Sequence, residues 1–220
     1  MESFEAELNT IHPLAIVMPT LAAIAVTLCI PPFIWHFSNR NIGAVSLMIW
    51  LIILNFMNFI NALIWPNDNI FAYWNGEVFC DIEIRLMLGG TVALPGAVLC
   101  IVRDLARALD TNRNTLSFND SQKKRKLIID LLLCFGLPLY FMGIYYIVQP
   151  GRYYIYAIQG CWYPIDESWV SIVLIVMWPL ILTLIAAYFA GMCSVSHQIC
   201  QHVNNNKHRT HTHSDSSISP

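Results

Sequence analysis

Residues 42–65 read IGAVSLMIWLIILNFMNFINALIW and contain no Asp, Glu, Lys or Arg. A helix crosses the hydrocarbon core of a bilayer in about 20 mainly apolar residues, because lipid offers the backbone amides no other hydrogen-bond partner. This stretch therefore predicts a membrane-spanning helix. Four further stretches of the same kind are predicted to span the membrane, over residues 14–37, 79–102, 127–148 and 169–193.

The composition of the chain agrees with this interpretation. Hydrophobic residues make up 56% of the 220 residues and charged residues only 12%, with a mean hydropathy of +0.54. Soluble domains carry about 25% charged residues, so a soluble surface is excluded. The net charge of −2 excludes a nucleic-acid binder that depends on bulk positive charge. We predict an all-α membrane protein with a transmembrane helix bundle over residues 1–193 and a disordered cytoplasmic tail, rich in His and Ser, over residues 194–220.

The positions of Lys and Arg give the bundle a direction, because short cytoplasmic loops retain basic residues. All twelve of these residues except Arg85 and Arg152 follow the first span, separate the third and fourth spans, or lie in the tail. The N-terminus and the 66–78 and 149–168 loops together carry only Arg152. We therefore predict that the N-terminus lies outside and the tail inside.

Two cysteines are expected on the oxidising side of the membrane. Cys80 opens the third span at its outer end, and Cys161 lies in the second outer loop, whereas the other five cysteines lie inside spans or on the cytoplasmic side. A disulfide between Cys80 and Cys161 would tie that loop to the bundle. Two free thiols are the alternative that the sequence leaves open.

Three charged side chains lie near the outer mouth of the third span, where charge is costly. Asp81 and Arg85 are four residues apart on one helical face, whereas Glu83 points roughly 160° away from either. One interpretation is a local ion pair with Glu83 reaching towards water; the other is a polar rim for an extracellular ligand. In the second span, Asn55, Asn58 and Asn61 favour hydrogen bonds between helices over ligand contact.

The predicted inner side carries a cluster of basic residues. Topological retention, assisted by anionic lipid, explains the cluster, and docking of a cytoplasmic partner is a further role. We assign this side the residues Arg40, Arg103, Arg107, Lys123, Lys124, Arg125 and Lys126.

No motif of an enzyme or metal site occurs in the sequence. Ser/His/Asp, HExxH, P-loop and GxGxxG arrangements are absent, and the seven cysteines form no CxxC pair. The tail histidines raise a metal-site hypothesis, but polar low-complexity sequence explains them more simply. We predict no catalytic residue, no metal and no cofactor.

Several ordered motifs resemble a known family. They include PPFIWHFSNRNIGAVSLMIW at 31–50, NFMNFINALIWPND at 55–68, FCDIEIRL at 79–86, ALPGAVLCIVRDLA at 93–106, KRKLIIDLLLCFGLPL at 124–139 and YYIVQPGRYYIYAIQGCW at 145–162. Together they resemble the fungal pheromone receptors that recognise prenylated peptides of the a-factor type, the class D G-protein-coupled receptors. The likeness covers about residues 10 to 190.

The resemblance implies a multi-pass plasma-membrane receptor with a seven-span fold that binds a farnesylated mating peptide outside and activates a heterotrimeric G protein inside. The partners expected are therefore that lipidated peptide, the G protein, membrane lipid and a second receptor in a dimer, with no nucleic acid. The residues assigned to ligand binding are Asp81, Glu83, Arg85, Arg152 and Trp162.

The chain also departs from the family pattern. Receptors of this family continue beyond the position of Tyr188 through an inner loop and two more helices, whereas here a His- and Ser-rich tail follows. Two explanations stay open: an incomplete gene model, and a natural short receptor with impaired signalling. The alternative class is a small transporter or channel-like protein that uses the charges of the third span, although no charge occurs between Arg85 and Arg103.

Overall fold

The computed structural model describes residues 13–67, 69, 73–109 and 120–215, and it contains five long helices. Each helix is long and apolar enough to cross a membrane. The α-helical membrane bundle predicted from the sequence is thereby confirmed. In chain order the helices are α1 (Leu14–Ser38), α2 (Ile42–Ile64), α3 (Glu77–Leu109), α4 (Asp120–Val148) and α5, which consists of Trp169–Ser171, Ile172–Val176 and Met177–Asp215.

The last helix is longer than the span predicted from the sequence. Its backbone is helical to Asp215, which differs from the disordered tail expected from residue 194. No Gly or Pro occurs between Gly191 and Pro220, so the usual residues that end a helix are missing there. Residues 216–220 lie outside the described part of the chain.

Helix α3 is the centre of the bundle. In the most apolar 18-residue stretch of this helix, 56% is buried, against 17% to 22% in the corresponding stretches of the other four helices. Glycines allow this close packing: a Cβ on Gly90 would lie 2.9 Å from the Leu54 side chain of α2, and one on Gly96 would lie 2.9 Å from the Leu133 carbonyl oxygen of α4. Small residues at such contacts let membrane helices approach closely.

A π-helical turn at Leu132–Gly136 interrupts α4 and provides a polar contact to α2. Pro138 has no backbone N–H, so the carbonyl of Cys134, four residues earlier, receives no ordinary helical hydrogen bond. The Trp50 indole Nε1 donates to this carbonyl at 3.2 Å, and the Ser46 hydroxyl donates at 3.5 Å. Two side chains of α2 thus replace the bond that the proline removes.

Large apolar side chains remain exposed along the outer faces of the bundle. Helix α1 packs chiefly on α2 and exposes the rest of its circumference, and α5 also has a long exposed apolar face. Apolar faces of this kind are compatible with contact to lipid tails or to further apolar helices. Examples are Leu21, Leu28, Ile34, Leu180 and Leu184.

A β-hairpin joins α4 to α5 and was not predicted from the sequence. Its antiparallel strands are β1 (Tyr154–Tyr156) and β2 (Gly160–Trp162), and Ile155 lies opposite Cys161. The turn contains Ile158 in the left-handed region, with φ of 65°, a strained conformation for a β-branched residue. The Ile158 N–H donates to the Trp65 carbonyl at the end of α2 at 2.8 Å, which holds the turn against the bundle.

Candidate functional site

The two ends of the bundle differ in chemistry. The hairpin end comprises β1, β2, the start of α3 and the adjacent ends of α2 and α4. The basic end comprises the end of α3, the start of α4 and the turn between α1 and α2. The sequence-predicted site residues fall at these two ends.

A disulfide joins Cys80 in the first turn of α3 to Cys161 in β2, with a Cα–Cα distance of 5.2 Å. Both cysteines are fully buried. The bond links residues 81 positions apart and fixes β2 over α3. The second strand is therefore tied covalently to the most buried helix.

Beneath the hairpin lies a buried carboxylate. Glu83 of α3 is 1% exposed and Asn61 of α2 is 0% exposed. The Asn61 amide donates to Glu83 Oε1 and also to the Gln159 carbonyl at 2.8 Å, and the Cys161 N–H donates to Glu83 Oε2 at 3.2 Å. The expected rim position of Glu83 is wrong, because the rotation of α3 turns this side chain towards α2 and the hairpin. Asn61 makes the interhelical hydrogen bond expected of it.

The hairpin fits over this carboxylate because of one glycine. Gly160 adopts φ of 77°, and a Cβ there would collide with the Asn61 side chain. Glycine alone adopts this conformation without strain and leaves room for the Asn61 amide. The hairpin is thus fixed at three points: the hydrogen bond from Ile158 to Trp65, the disulfide, and the hydrogen bond to the Glu83 carboxylate.

An ion-pair cluster lies at the surface beside the hairpin. Arg152, which is 53% exposed, contacts Asp81 at 2.9 Å and Glu77 at 3.4 Å, both on α3. Hydrogen bonding to Asp81 is the main cause of a raised pKa of the Arg152 guanidinium. Asp81 therefore pairs with Arg152, and the local pair with Arg85 considered from the sequence does not form. Arg85 is exposed, and no ion pair to it occurs within the described ranges.

Exposed aromatic rings cover the outer face of the hairpin. Tyr154 and Trp162 are opposite each other in the register, and Tyr156 follows on the same face. Trp162 stacks on Tyr163 with ring centroids 5.7 Å apart. Burial raises the pKa of the Tyr163 hydroxyl. The loop is anchored to α4 by the Tyr145 hydroxyl, which donates to the Pro164 carbonyl at 2.9 Å.

At the basic end, an ion pair joins α3 to α4. The Arg103 guanidinium contacts the buried carboxylate of Asp130. One turn outward, Lys126 of α4 contacts Asp104 of α3 at 2.7 Å. Two of the basic residues assigned to the inner side therefore hold helices together.

The remaining basic residues of this end face outward. Arg40 lies in the turn between α1 and α2 with φ of 55°. Arg107 contacts Asp104 at 3.9 Å and Lys123 contacts Asp120 at 3.7 Å. Both cations remain accessible to solvent. The exposed set consists of Arg40, Arg107, Lys123, Lys124 and Arg125.

No cluster of three or more His, Cys, Asp or Glu side chains that could hold a metal occurs in the described part of the chain. The side chains of the tail histidines lie outside the described residues. Sequence reasoning missed the contact between Asn61 and Glu83 and the role of Asp130. Polar residues at matching depth in adjacent apolar spans were the signal that could have indicated both contacts.

These features define a class of protein: a multi-pass helical membrane protein with a disulfide-tethered hairpin at one end and exposed basic residues at the other. A family model described as Pheromone A receptor matches residues 17–219. The chain belongs to the pheromone A receptor family.

Curated relatives carry the same kind of name. The pheromone a factor receptor of Saccharomyces cerevisiae is 32% identical over 172 residues, which are 78% of this chain and 36% of the relative. Pheromone receptor 1 of Mycosarcoma maydis is 29% identical over 176 residues, 80% of this chain and 48% of the relative. The chain thus spans about a third to a half of the length of these relatives. No solved structure matches the chain.

Proposed function

We propose that this chain is a plasma-membrane receptor for a farnesylated mating peptide and acts through a heterotrimeric G protein. The observation that carries the proposal is the family match over residues 17–219. The chemistry of the two ends supports it, because a receptor needs one end for the ligand and another for the cytoplasmic partner. The basic residues favour the basic end as cytoplasmic, so the hairpin end and the N-terminus would lie outside.

The hairpin end has groups for both parts of a lipidated peptide. Arg152, Asp81 and Arg85 are accessible charges, and Trp162 is an exposed aromatic ring. The prenyl chain would enter the bilayer beside the helices and contribute on the order of 0.8 kcal/mol per buried CH₂. Glu83 would act from below, by holding the hairpin that carries Trp162.

The basic end has a surface for an acidic partner. Exposed cations there attract acidic protein surfaces and anionic lipid headgroups, the latter by about 1 kcal/mol for each basic side chain near the membrane. Arg40, Arg107 and Lys123 belong to this surface, together with Lys124 and Arg125. Arg103 and Lys126 would contribute through the arrangement of α3 and α4, since both are engaged in ion pairs.

The test uses the 220-residue chain in lipid nanodiscs with a heterotrimeric G protein. Synthetic S-farnesylated peptide methyl esters are screened for saturable binding, and the unfarnesylated peptides are the control. We expect farnesyl-dependent binding and faster nucleotide exchange on the G protein. Absence of saturable binding by every farnesylated peptide would contradict the ligand assignment, and binding without exchange would contradict the coupling.

A transporter has no support in the packing of α3. Between Arg85 and Arg103 this helix buries Leu88, Val92 and Ala97 against its neighbours. An apolar packed centre provides no path for a solute.

A further inference from the structure

The hairpin has one closed edge and one open edge. In an antiparallel pair, residues with hydrogen-bonded backbones alternate with residues whose N–H and C=O groups point away from the partner strand. The Cys161 N–H donates to Glu83 at 3.2 Å, so it points away from β1. Ile155, which lies opposite Cys161, therefore also directs its N–H and C=O away from the hairpin.

The outer edge of β2 is closed by the Glu83 carboxylate, which accepts the hydrogen bond from Cys161. The outer edge of β1 has no such partner: no hydrogen bond to the Ile155 backbone is formed by any residue that the structure describes. Unpaired strand edges present a donor and an acceptor at the spacing that another extended chain requires. Closure of one edge directs any added strand to the other.

Side chains beside this edge suit an extended peptide. Tyr154 and Tyr156 flank Ile155, are 58% and 51% exposed, and point to the face that Trp162 shares. Aromatic rings of this kind provide large contact areas at low entropic cost. Strand addition gives affinity through backbone hydrogen bonds, and the neighbouring side chains provide specificity.

We propose that the free edge of β1 binds the peptide part of the lipidated pheromone as an added strand, with the Ile155 N–H as donor and the Ile155 carbonyl as acceptor. This inference rests on the proposed function and specifies how its ligand binds. The pheromone backbone then lies beside Tyr154 and Tyr156, and its side chains alternate between this aromatic face and the bundle.

The surroundings favour a lipidated peptide as the occupant. The last turn of α4 lies next to the hairpin, because Val148 in that turn belongs to the hydrophobic cluster against which Ile155 packs, and Tyr146 and Ile147 expose apolar surface there. Trp169 exposes a further apolar ring at the start of α5. A peptide paired with β1 can therefore place an attached apolar chain in the bilayer beside these residues. A water-soluble partner without a lipid chain would leave that adjacent apolar surface uncovered.

The decisive variant is Ile155→Pro, which removes the outward N–H, fixes φ and shortens the side chain that packs against the hydrophobic core around Trp65. Proline is tolerated on edge strands, and its effect on the preceding residue favours the extended conformation that Tyr154 already has. The control is Ile155→Val, which retains the N–H and shortens the side chain. Retention of the disulfide, measured by thiol alkylation without reductant, confirms that each variant keeps the hairpin.

The probe is the S-farnesylated peptide methyl ester that binds most tightly to the wild-type chain in nanodiscs. We expect Ile155→Pro to weaken its binding about tenfold, the size of one lost hydrogen bond, and Ile155→Val to change it less than twofold. The Ile155 amide of the wild type should exchange rapidly with deuterium and become protected when the probe binds.

Equal binding of the probe by Ile155→Pro and Ile155→Val would overturn the edge assignment while leaving the proposed function intact. Absence of any farnesylated peptide that binds the wild type would instead overturn the proposed function. Protection of the Ile155 amide before the probe is added would also overturn the inference, since the edge would then be occupied by residues 1–12 or by a second copy of the chain.

Discussion

The hairpin end and the basic end are held together by different forces. At the hairpin end, a disulfide and hydrogen bonds to a buried carboxylate connect β2 to α2 and α3. At the basic end, ion pairs connect α3 to α4. A covalent bond, buried hydrogen bonds and the buried pair of Arg103 with Asp130 are little affected by ions in solution, whereas the more exposed pair of Lys126 with Asp104 is screened by salt.

Under the proposed function, this difference divides the tasks of the receptor between its two ends. A preformed ligand site loses less entropy on binding, which favours a hairpin fixed in advance. Under the proposed function the basic end faces the cytoplasmic partner, and there the exposed pair of Lys126 with Asp104 can exchange for contacts with that partner at a cost of about 0.5 kcal/mol. Four sets of variants test this contrast, and the first should have the strongest effect on stability.

Replacement of both disulfide cysteines, as Cys80→Ser with Cys161→Ser, should have the largest effect. A closed loop with a sequence separation of 81 residues restricts the unfolded chain by about 4.5 kcal/mol. Thermal unfolding of the purified protein in detergent measures the loss. Cys29→Ser, at a free cysteine of α1, is the matched control, and equal melting temperatures for the two proteins would contradict the proposed role of the disulfide.

Removal of the buried carboxylate by Glu83→Ala should rank next. The change leaves one N–H of the Asn61 amide and the Cys161 N–H without an acceptor and creates a cavity, at a cost of about 3 kcal/mol. Glu83→Gln should cost less, because one amide oxygen still accepts a hydrogen bond. Equal melting temperatures of the alanine and glutamine variants would contradict the role of Glu83 as a hydrogen-bond acceptor.

Asp130→Ala should be destabilising by about 2 kcal/mol, below the usual cost of breaking a buried ion pair, because Arg103 keeps Asp104 as a partner at 3.9 Å. The double variant with Arg103→Ala should recover part of the loss, since it leaves no unpaired charge. Thermal unfolding of the single and double variants tests this coupling. Strictly additive losses would show that the two side chains do not interact.

The smallest effect is expected for Lys126→Ala, about 0.5 kcal/mol, because the Lys126 side chain is 42% exposed. This loss should disappear when the salt concentration is raised, as screening weakens the pair with Asp104 in the wild type. Melting temperatures at low and high salt provide the measurement. A loss that is independent of salt would indicate a packing role for the lysine stem.

The apolar stretches predicted the bundle because the length and apolarity of each span are local properties of the sequence. The predicted second span, residues 42–65, agrees closely with the helix Ile42–Ile64. The orientation of side chains around α3 could not be predicted, because one helix alone does not fix its rotation. Glu83, which was expected at the outer rim, therefore lies in a buried contact with Asn61.

The ion pairs of the site depended on long-range contacts. Arg152 and Asp81 are 71 residues apart, and only the folded loop brings them together. The hairpin itself had a weak signal, since its strands contain three residues each. By contrast, the side of the membrane predicted for Cys80 and Cys161 restricted the choice of partners to these two cysteines.

The proposed function makes the hairpin end the outward, ligand-binding end. A photoreactive S-farnesylated peptide added to intact spheroplasts that express the chain tests it most directly, with the crosslinked residues mapped by mass spectrometry. We expect saturable labelling within residues 150–165, and excess unlabelled farnesylated peptide should abolish this labelling. Saturable labelling confined to residues 120–130 would place the ligand at the basic end and overturn the assignment of the hairpin end.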